Sequence, residues 1–211
     1  MKTLTTFVYA VLAGAAIAIG GVAFLSCEDR VVGAIFFCVG LFTVCTFGLN
    51  LFTGKVCYLF DNPPSYLLFL LVVWVGNLAG AALVGYGVRT TRIASIAEKA
   101  AELCQTKLDD GLWSIFLLAV FCNVLIFIAV DGFKNDPHQL GKYLGLFLGV
   151  VVFILCGFEH CVANMFYFSV ANAWSGKAVL YLLVMTLGNS CGGLILPLCR
   201  KLKDRAEKVA V

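Results

Sequence analysis

The chain has 211 residues, 62% of them hydrophobic and only 13% charged, with a mean hydropathy of +0.99. A soluble domain needs far more polar surface than that to cover its core, and the net charge of +3 comes with no basic folded surface for nucleic acid. The ten cysteines form no C-x-x-C pair, and Cys38, Cys45, Cys122, Cys156 and Cys191 lie inside apolar runs, so they read as reduced packing residues. Two histidines leave structural zinc or paired haem iron short of ligands, and no cofactor or metal is expected.

The first predicted span covers about 4–25 and is ended by Ser26-Cys27-Glu28-Asp29-Arg30. It is longer than the ~7–15 residues of a signal-peptide core, and five further spans follow it, so it reads as an uncleaved helix. The second, about 31–60, is interrupted between Gly48 and Gly54 and stopped by Asp61-Asn62-Pro63-Pro64. The third runs about 65–88. Arg89 to Lys107 is polar on one side and apolar on the other, as in an interfacial helix with a connector. The fourth span, about 111–130, ends at Asp131-Gly132-Phe133-Lys134. The fifth, about 139–173, is interrupted between Gly157 and Asn164, and the sixth is about 178–199. Six apolar runs of membrane-spanning length predict one all-α membrane domain over 1–211, with no room for a soluble module. An even number of spans puts both termini on one side, and the basic tail Arg200-Lys201-Leu202-Lys203 makes that side the cytoplasm of a cell inner (plasma) membrane. The 89–107 connector then lies outside.

Spans three and six share a pattern. Gly76-Asn77-Leu78-Ala79-Gly80 and Gly188-Asn189-Ser190-Cys191-Gly192 both read G-N-x-x-G, 112 positions apart, and the interrupted spans recur at nearly the same offset. Three spans per half force the halves into opposite orientations, which predicts a three-plus-three inverted repeat with helices 2 and 5 broken. The glycines serve close helix packing.

Backbone that leaves a helix at membrane depth exposes N–H and C=O groups that lipid cannot satisfy, so such breaks persist only within protein or along a cavity. Matched breaks in an inverted repeat point to a substrate path near the midplane. Half-helix N-termini there suit small anions. Thr53 sits in the first break, and Glu159 and His160 in the second. An intramembrane ionisable group costs about 2.5–3.5 kcal/mol and is therefore functional or internally paired. His160 is read as functional, and Glu159 as an acceptor that anchors helices, since an anion would repel anionic cargo.

These residues carry a specific resemblance. The stretch from Gly157 to Phe166, G-F-E-H-C-V-A-N-M-F, resembles the fifth-helix signature of the formate/nitrite transporter family. Leu51-Phe52-Thr53-Gly54 resembles that family's second-helix loop, the G-N-x-x-G segments fit its third and sixth helices, and Leu12 to Gly21 is similar to its first. The resemblance covers nearly the whole chain. It implies an aquaporin-like fold, a homopentamer in the lipid bilayer, and one pore per subunit for small monovalent anions or their conjugate acids: formate, nitrite, hydrosulfide, sometimes acetate or lactate. By the same resemblance His160 is the central pore histidine and Thr53 its partner. Phe37, Leu41, Leu51, Phe52 and Phe153 fall at two hydrophobic constrictions, Lys107 is a vestibule lysine, and Asn123 is the fourth-helix asparagine near the pore. Asn50 stands where many relatives carry an acid, and Asn77, Asn164 and Asn189 are expected as structural polar groups. The first span begins almost at once, so gating by an N-terminal helix is not carried over.

The expected function is therefore a formate channel or transporter, not an enzyme. Nitrite or hydrosulfide is the alternative cargo on the same fold. A membrane oxidoreductase would need a C-x-x-C pair or histidines within ligand reach, and His138 lies in a polar loop. A purely structural subunit is the remaining alternative, and it would tolerate loss of His160.

Overall fold

The computed structural model describes residues 2–209, which form helices joined by turns and short extended links. The helices are α1 (Lys2–Ser26), α2 (Arg30–Thr46), α3 (Phe52–Lys55), α4 (Tyr66–Val88), α5 (Ile96–Asp109), α6 (Leu112–Asn135), α7 (Gln139–Leu155), α8 (Cys161–Val170) and α9 (Gly176–Val209); a 3-10 turn, Val56–Asp61, follows α3. Four of them (α1, α4, α6 and α9) are long and apolar enough to cross a membrane. The two runs expected to be interrupted are divided, as α2 with α3 and α7 with α8. Each of α2 and α7 has 17 residues, about 25 Å of helix, short of a hydrocarbon core on its own.

Both interruptions are built the same way. Gly48 (φ +63°) follows α2 and Gly157 (φ +68°) follows α7, each in the left-handed region that glycine enters without steric cost. Around them the Leu49 N–H reaches back to Val44 O and the Phe158 N–H to Phe153 O, both at 2.9 Å, closing the ends of the helices. The chain then runs extended to Leu51 and to His160, the residues that precede α3 and α8.

An asparagine from a neighbouring helix closes each interruption. Asn77 on α4 accepts the Phe52 N–H (2.8 Å) and donates to Asn50 O (2.9 Å) and Ala10 O (2.8 Å). Asn189 on α9 accepts the Cys161 N–H (2.8 Å) and donates to Glu159 O (2.8 Å) and Ala119 O (2.7 Å). Each backbone partner in the second set lies 109 residues after its counterpart in the first. The glycines beside the asparagines allow this approach: a Cβ on Gly80 would strike Val11 O, and one on Gly192 would strike Val120 O. Alanine at either position is expected to lower stability by about 1–3 kcal/mol through overpacking, visible as a fall in the unfolding midpoint in detergent.

Three elements end elsewhere than the sequence suggests. The fourth span does not stop at Asp131, because α6 continues to Asn135. The Asp131 carboxylate is buried and satisfied there, by Arg200 (2.8 Å), Tyr58 Oη (3.2 Å) and Asn135 (2.9 Å). The sixth span passes through Pro197 and continues beyond 199 into the basic residues as one helix, whose Arg200 and Lys201 engage Asp131 and Asp61. The second interruption is shorter than 157–164, since α8 already begins at Cys161.

Candidate functional site

The two interruptions meet in the core. His160 Nδ1 accepts the Ala163 N–H (3.1 Å) and thereby caps α8. A ring nitrogen that accepts an amide N–H carries no proton, so the proton lies on Nε2, which donates to Thr53 Oγ1 at 2.9 Å. The ring is neutral in this arrangement. The Thr53 hydroxyl proton has no acceptor among the described residues and is free for a guest. Both side chains are buried, and Phe153 stacks on the imidazole (centroids 5.7 Å, 21°) with Phe37 edge-on behind it (5.7 Å, 89°).

Two cavities lie near this pair, one lined by His160 itself and one by Leu51 and Gly54, which flank Thr53 in α3 and its cap. A large one of about 650 Å³ is lined by Leu51, Gly54, Lys55, Tyr58 and Lys134 among others. A small one of about 50 Å³ is lined by Phe153, His160, Asn164, Lys107, Arg30 and Tyr167 among others. Since liquid water takes about 30 Å³ per molecule, the small cavity holds one or two waters or an ion of a few atoms. Leu51 lines the large cavity, and Phe153 lines the small one beside His160 itself. Leu41 and Phe52 are buried on α2 and α3.

Lys107 reaches from α5 to Glu159, with its Nζ at 2.8 and 2.7 Å from the two carboxylate oxygens. Glu159 also accepts from Asn164 Nδ2 at 2.8 Å, so its charge is held by a cation and an amide. The ammonium beside the small cavity is thus compensated rather than free. Cutting one partner of a buried pair leaves the other uncompensated. Lys107→Met is expected to cost about 3 kcal/mol of stability, and Lys107→Met with Glu159→Gln to restore much of it, both read from unfolding in detergent.

Asn123 donates to Thr53 O (3.1 Å) and Asn189 O (2.7 Å), tying α6 to α3 and α9, while Asn50 donates to Thr6 O (3.3 Å). The Oδ1 atoms of Asn123 and Asn164 are buried and have no partner among the described residues. Sequence reasoning passed over three cations at the cavities, Arg30, Lys55 and Lys134. Arg30 donates to Ile154 O (3.2 Å) at the end of α7 and lines the small cavity. Lys55 lines the large one; a lysine inside an apolar run two residues beyond Thr53 was the signal that could have found it. Asp131 was also missed, because an acid near the end of an apolar run looks like a loop residue.

A family model described as formate/nitrite transporter matches residues 1–200. An uncharacterized transporter of Bacillus subtilis, YrhG, is 31% identical over 201 residues, covering 85% of this chain and 75% of its own. A "probable formate transporter" of Methanothermobacter thermautotrophicus is 32% identical over 199 residues, covering 80% and 72%. Two solved structures share the fold at 24% identity: a pentameric formate channel with formate bound (TM-score 0.75, covering 91% of this chain and 93% of that one) and a channel described as an FNT family ion channel (TM-score 0.78, covering 92% and 87%).

Proposed function

The chain belongs to the formate/nitrite transporter family, and from that premise we propose that it conducts small monovalent anions, formate foremost, past the His160–Thr53 pair. It is a multi-pass membrane transport protein and not an enzyme. The observation that carries the reading is the buried imidazole–hydroxyl contact of 2.9 Å, which joins the two chain interruptions and adjoins the small cavity.

Along this path a guest meets apolar side chains, Leu51 at the large cavity and Phe153 at the small one. An anion there loses hydration, and desolvation raises the pKa of its conjugate acid, so a carboxylate that can take up a proton crosses at lower cost. Between the slits the Thr53 hydroxyl offers its proton to the guest, and the Nε2–H of His160 polarises that hydroxyl. Hydrogen bonds in such a chain strengthen one another where the dielectric is low. The Ala163 N–H occupies Nδ1, leaving that nitrogen no route to collect a proton from the far side. This arrangement favours donation of a hydrogen bond over proton relay through the ring.

The architecture we infer is six crossings in a three-plus-three inverted, aquaporin-like repeat over 1–211, with the divided runs as the second and fifth crossings. Support comes from the corresponding asparagine brackets of the two halves. Five copies would assemble in a cell inner membrane, in keeping with the pentameric relative. With the termini cytoplasmic, the large cavity opens inward and the Lys107 side outward.

Nitrite or hydrosulfide remains the second reading, because the Thr53 hydroxyl and the narrow slits suit any small monovalent anion. Flux of formate, nitrite and hydrosulfide into vesicles carrying one preparation of the protein separates the cargoes. The expected result is fastest entry for formate; a clear excess for either other anion would reassign it.

A further inference from the structure

We propose that Lys55 and Lys134 form an anion-collecting site in the large cavity, a role that builds on the transport reading above. Both lysines line this cavity of about 650 Å³, together with Leu51, Tyr58, Asp61 and Asn62. Among the described residues its single lining carboxylate is Asp61, which is already taken by Lys201. The neighbouring buried carboxylate, Asp131, is held by Arg200, Tyr58 and Asn135. Among the described residues neither Lys55 nor Lys134 has an ion pair, so two positive charges share one cavity without an acid to balance them.

Their backbone positions are fixed. Lys55 ends α3, and its carbonyl accepts the Tyr66 hydroxyl at 3.1 Å. Lys134 is in the last turn of α6, with Nζ 5.4 Å from the centre of the Tyr58 ring. The helix terminus explains a cation at Lys134. Lys55 also ends a helix, but α3 has only four residues and runs on into the 3-10 turn, so its dipole is small; Lys55 is partly buried and stands two residues from Thr53, and the α3 cap, Leu51, walls the same cavity. At the small cavity Lys107 is neutralised by Glu159, which leaves Arg30 as the one lining cation without an ion pair among the described residues, so the large cavity carries the stronger unbalanced positive charge of the two.

A concave, partly apolar wall focuses the field of such charges and raises the local concentration of counter-ions. The ligand class is a small monovalent carboxylate or similar anion, held loosely enough to move on past Leu51. Occupancy of this kind is screened by salt, since the Debye length falls from about 10 Å at 0.1 M to about 3 Å at 1 M.

Two measurements on the full-length purified protein test this. The first is the formate concentration for half-maximal flux in vesicles, at low and at high ionic strength. Lys55→Gln and Lys134→Gln are each expected to raise it about three- to tenfold at low ionic strength. The difference should shrink at 1 M salt, and Lys55→Arg should keep the wild-type value. The second is equilibrium broadening of the 13C-formate line by the protein in detergent, which needs no flux and should weaken in the Gln variants. Binding that depends on Lys55 without any wild-type flux would uphold the site and overturn the transport reading. Wild-type flux with half-saturation and line broadening unchanged by Lys55→Gln would overturn the site. A salt-independent loss that Lys55→Arg fails to rescue would also overturn it, by showing a packing role.

Discussion

Formate flux is expected to fall between about tenfold and a hundredfold when His160 is replaced by alanine. That loss reflects the weakening of the Thr53 hydrogen bond to the anion, a charged acceptor worth roughly 1.5–3 kcal/mol, once Nε2–H no longer orients and polarises the hydroxyl. The imidazole has two jobs: Nε2–H orients the Thr53 hydroxyl, and Nδ1 caps α8 by accepting the Ala163 N–H. Alanine removes both, and loss of a cap alone costs about 0.5–2 kcal/mol of stability. His160→Asn separates them, since asparagine is a good N-cap residue but is shorter than the ring and cannot stack on Phe153 in the same way. The Asn variant should unfold close to the wild type and still pass formate poorly. His160→Phe keeps an aromatic face toward Phe153 but has neither cap nor donor, so it should lose both flux and stability. Flux that survives in all three variants would favour the structural-subunit reading.

The second large effect concerns the brackets across the interruptions. Asn189→Ala is expected to destabilise the protein by about 5 kcal/mol or more, and Asn77→Ala by a similar amount. Each substitution strands three backbone groups at once: for Asn189 the Cys161 N–H and the carbonyls of Glu159 and Ala119. A buried group left without a partner costs about 1–3 kcal/mol, and hydrocarbon around the protein offers none. Asp is no remedy, because it keeps the acceptor for the N–H while setting a carboxylate against two carbonyl oxygens. Both alanine variants should show a sharply lower unfolding midpoint in detergent, or fail to accumulate in the membrane. A shift of only a degree or two would mean that water or a moved side chain fills the gap.

Much of this arrangement could be read from the chain. The repeated G-N-x-x-G, the glycines at 48 and 157, and a histidine inside an apolar run located both interruptions and the residue that joins them. The asparagines were placed in the right helices, but what they do was not legible. Asn77 and Asn189 lie 25 and 28 residues from the N–H groups they accept, and no local pattern records a partner so distant. Distance also hid the Lys107–Glu159 pair, whose members are 52 residues apart and on separate elements. From sequence each charge invites its own role; together they cancel. Asp131 was misplaced for the same reason, since its neutralising Arg200 arrives from the end of α9. Lys55 was visible all along as a charge in an apolar run, and its meaning emerged only once the nearby acids were seen to be occupied.

The tautomer of His160 is a further case. Nothing in G-F-E-H-C-V-A-N says which nitrogen carries the proton. The backbone decides, because the first turn of α8 presents an N–H to Nδ1.

Formate entry into vesicles at neutral pH, followed with and without the protein and with sulfate as a control, tests the account most directly. The predicted result is formate entry well above that of protein-free vesicles, with sulfate, divalent and strongly hydrated, no faster than in their absence. Equal formate entry in both kinds of vesicle, or sulfate passing as readily as formate, would contradict a narrow passage built around His160 and Thr53.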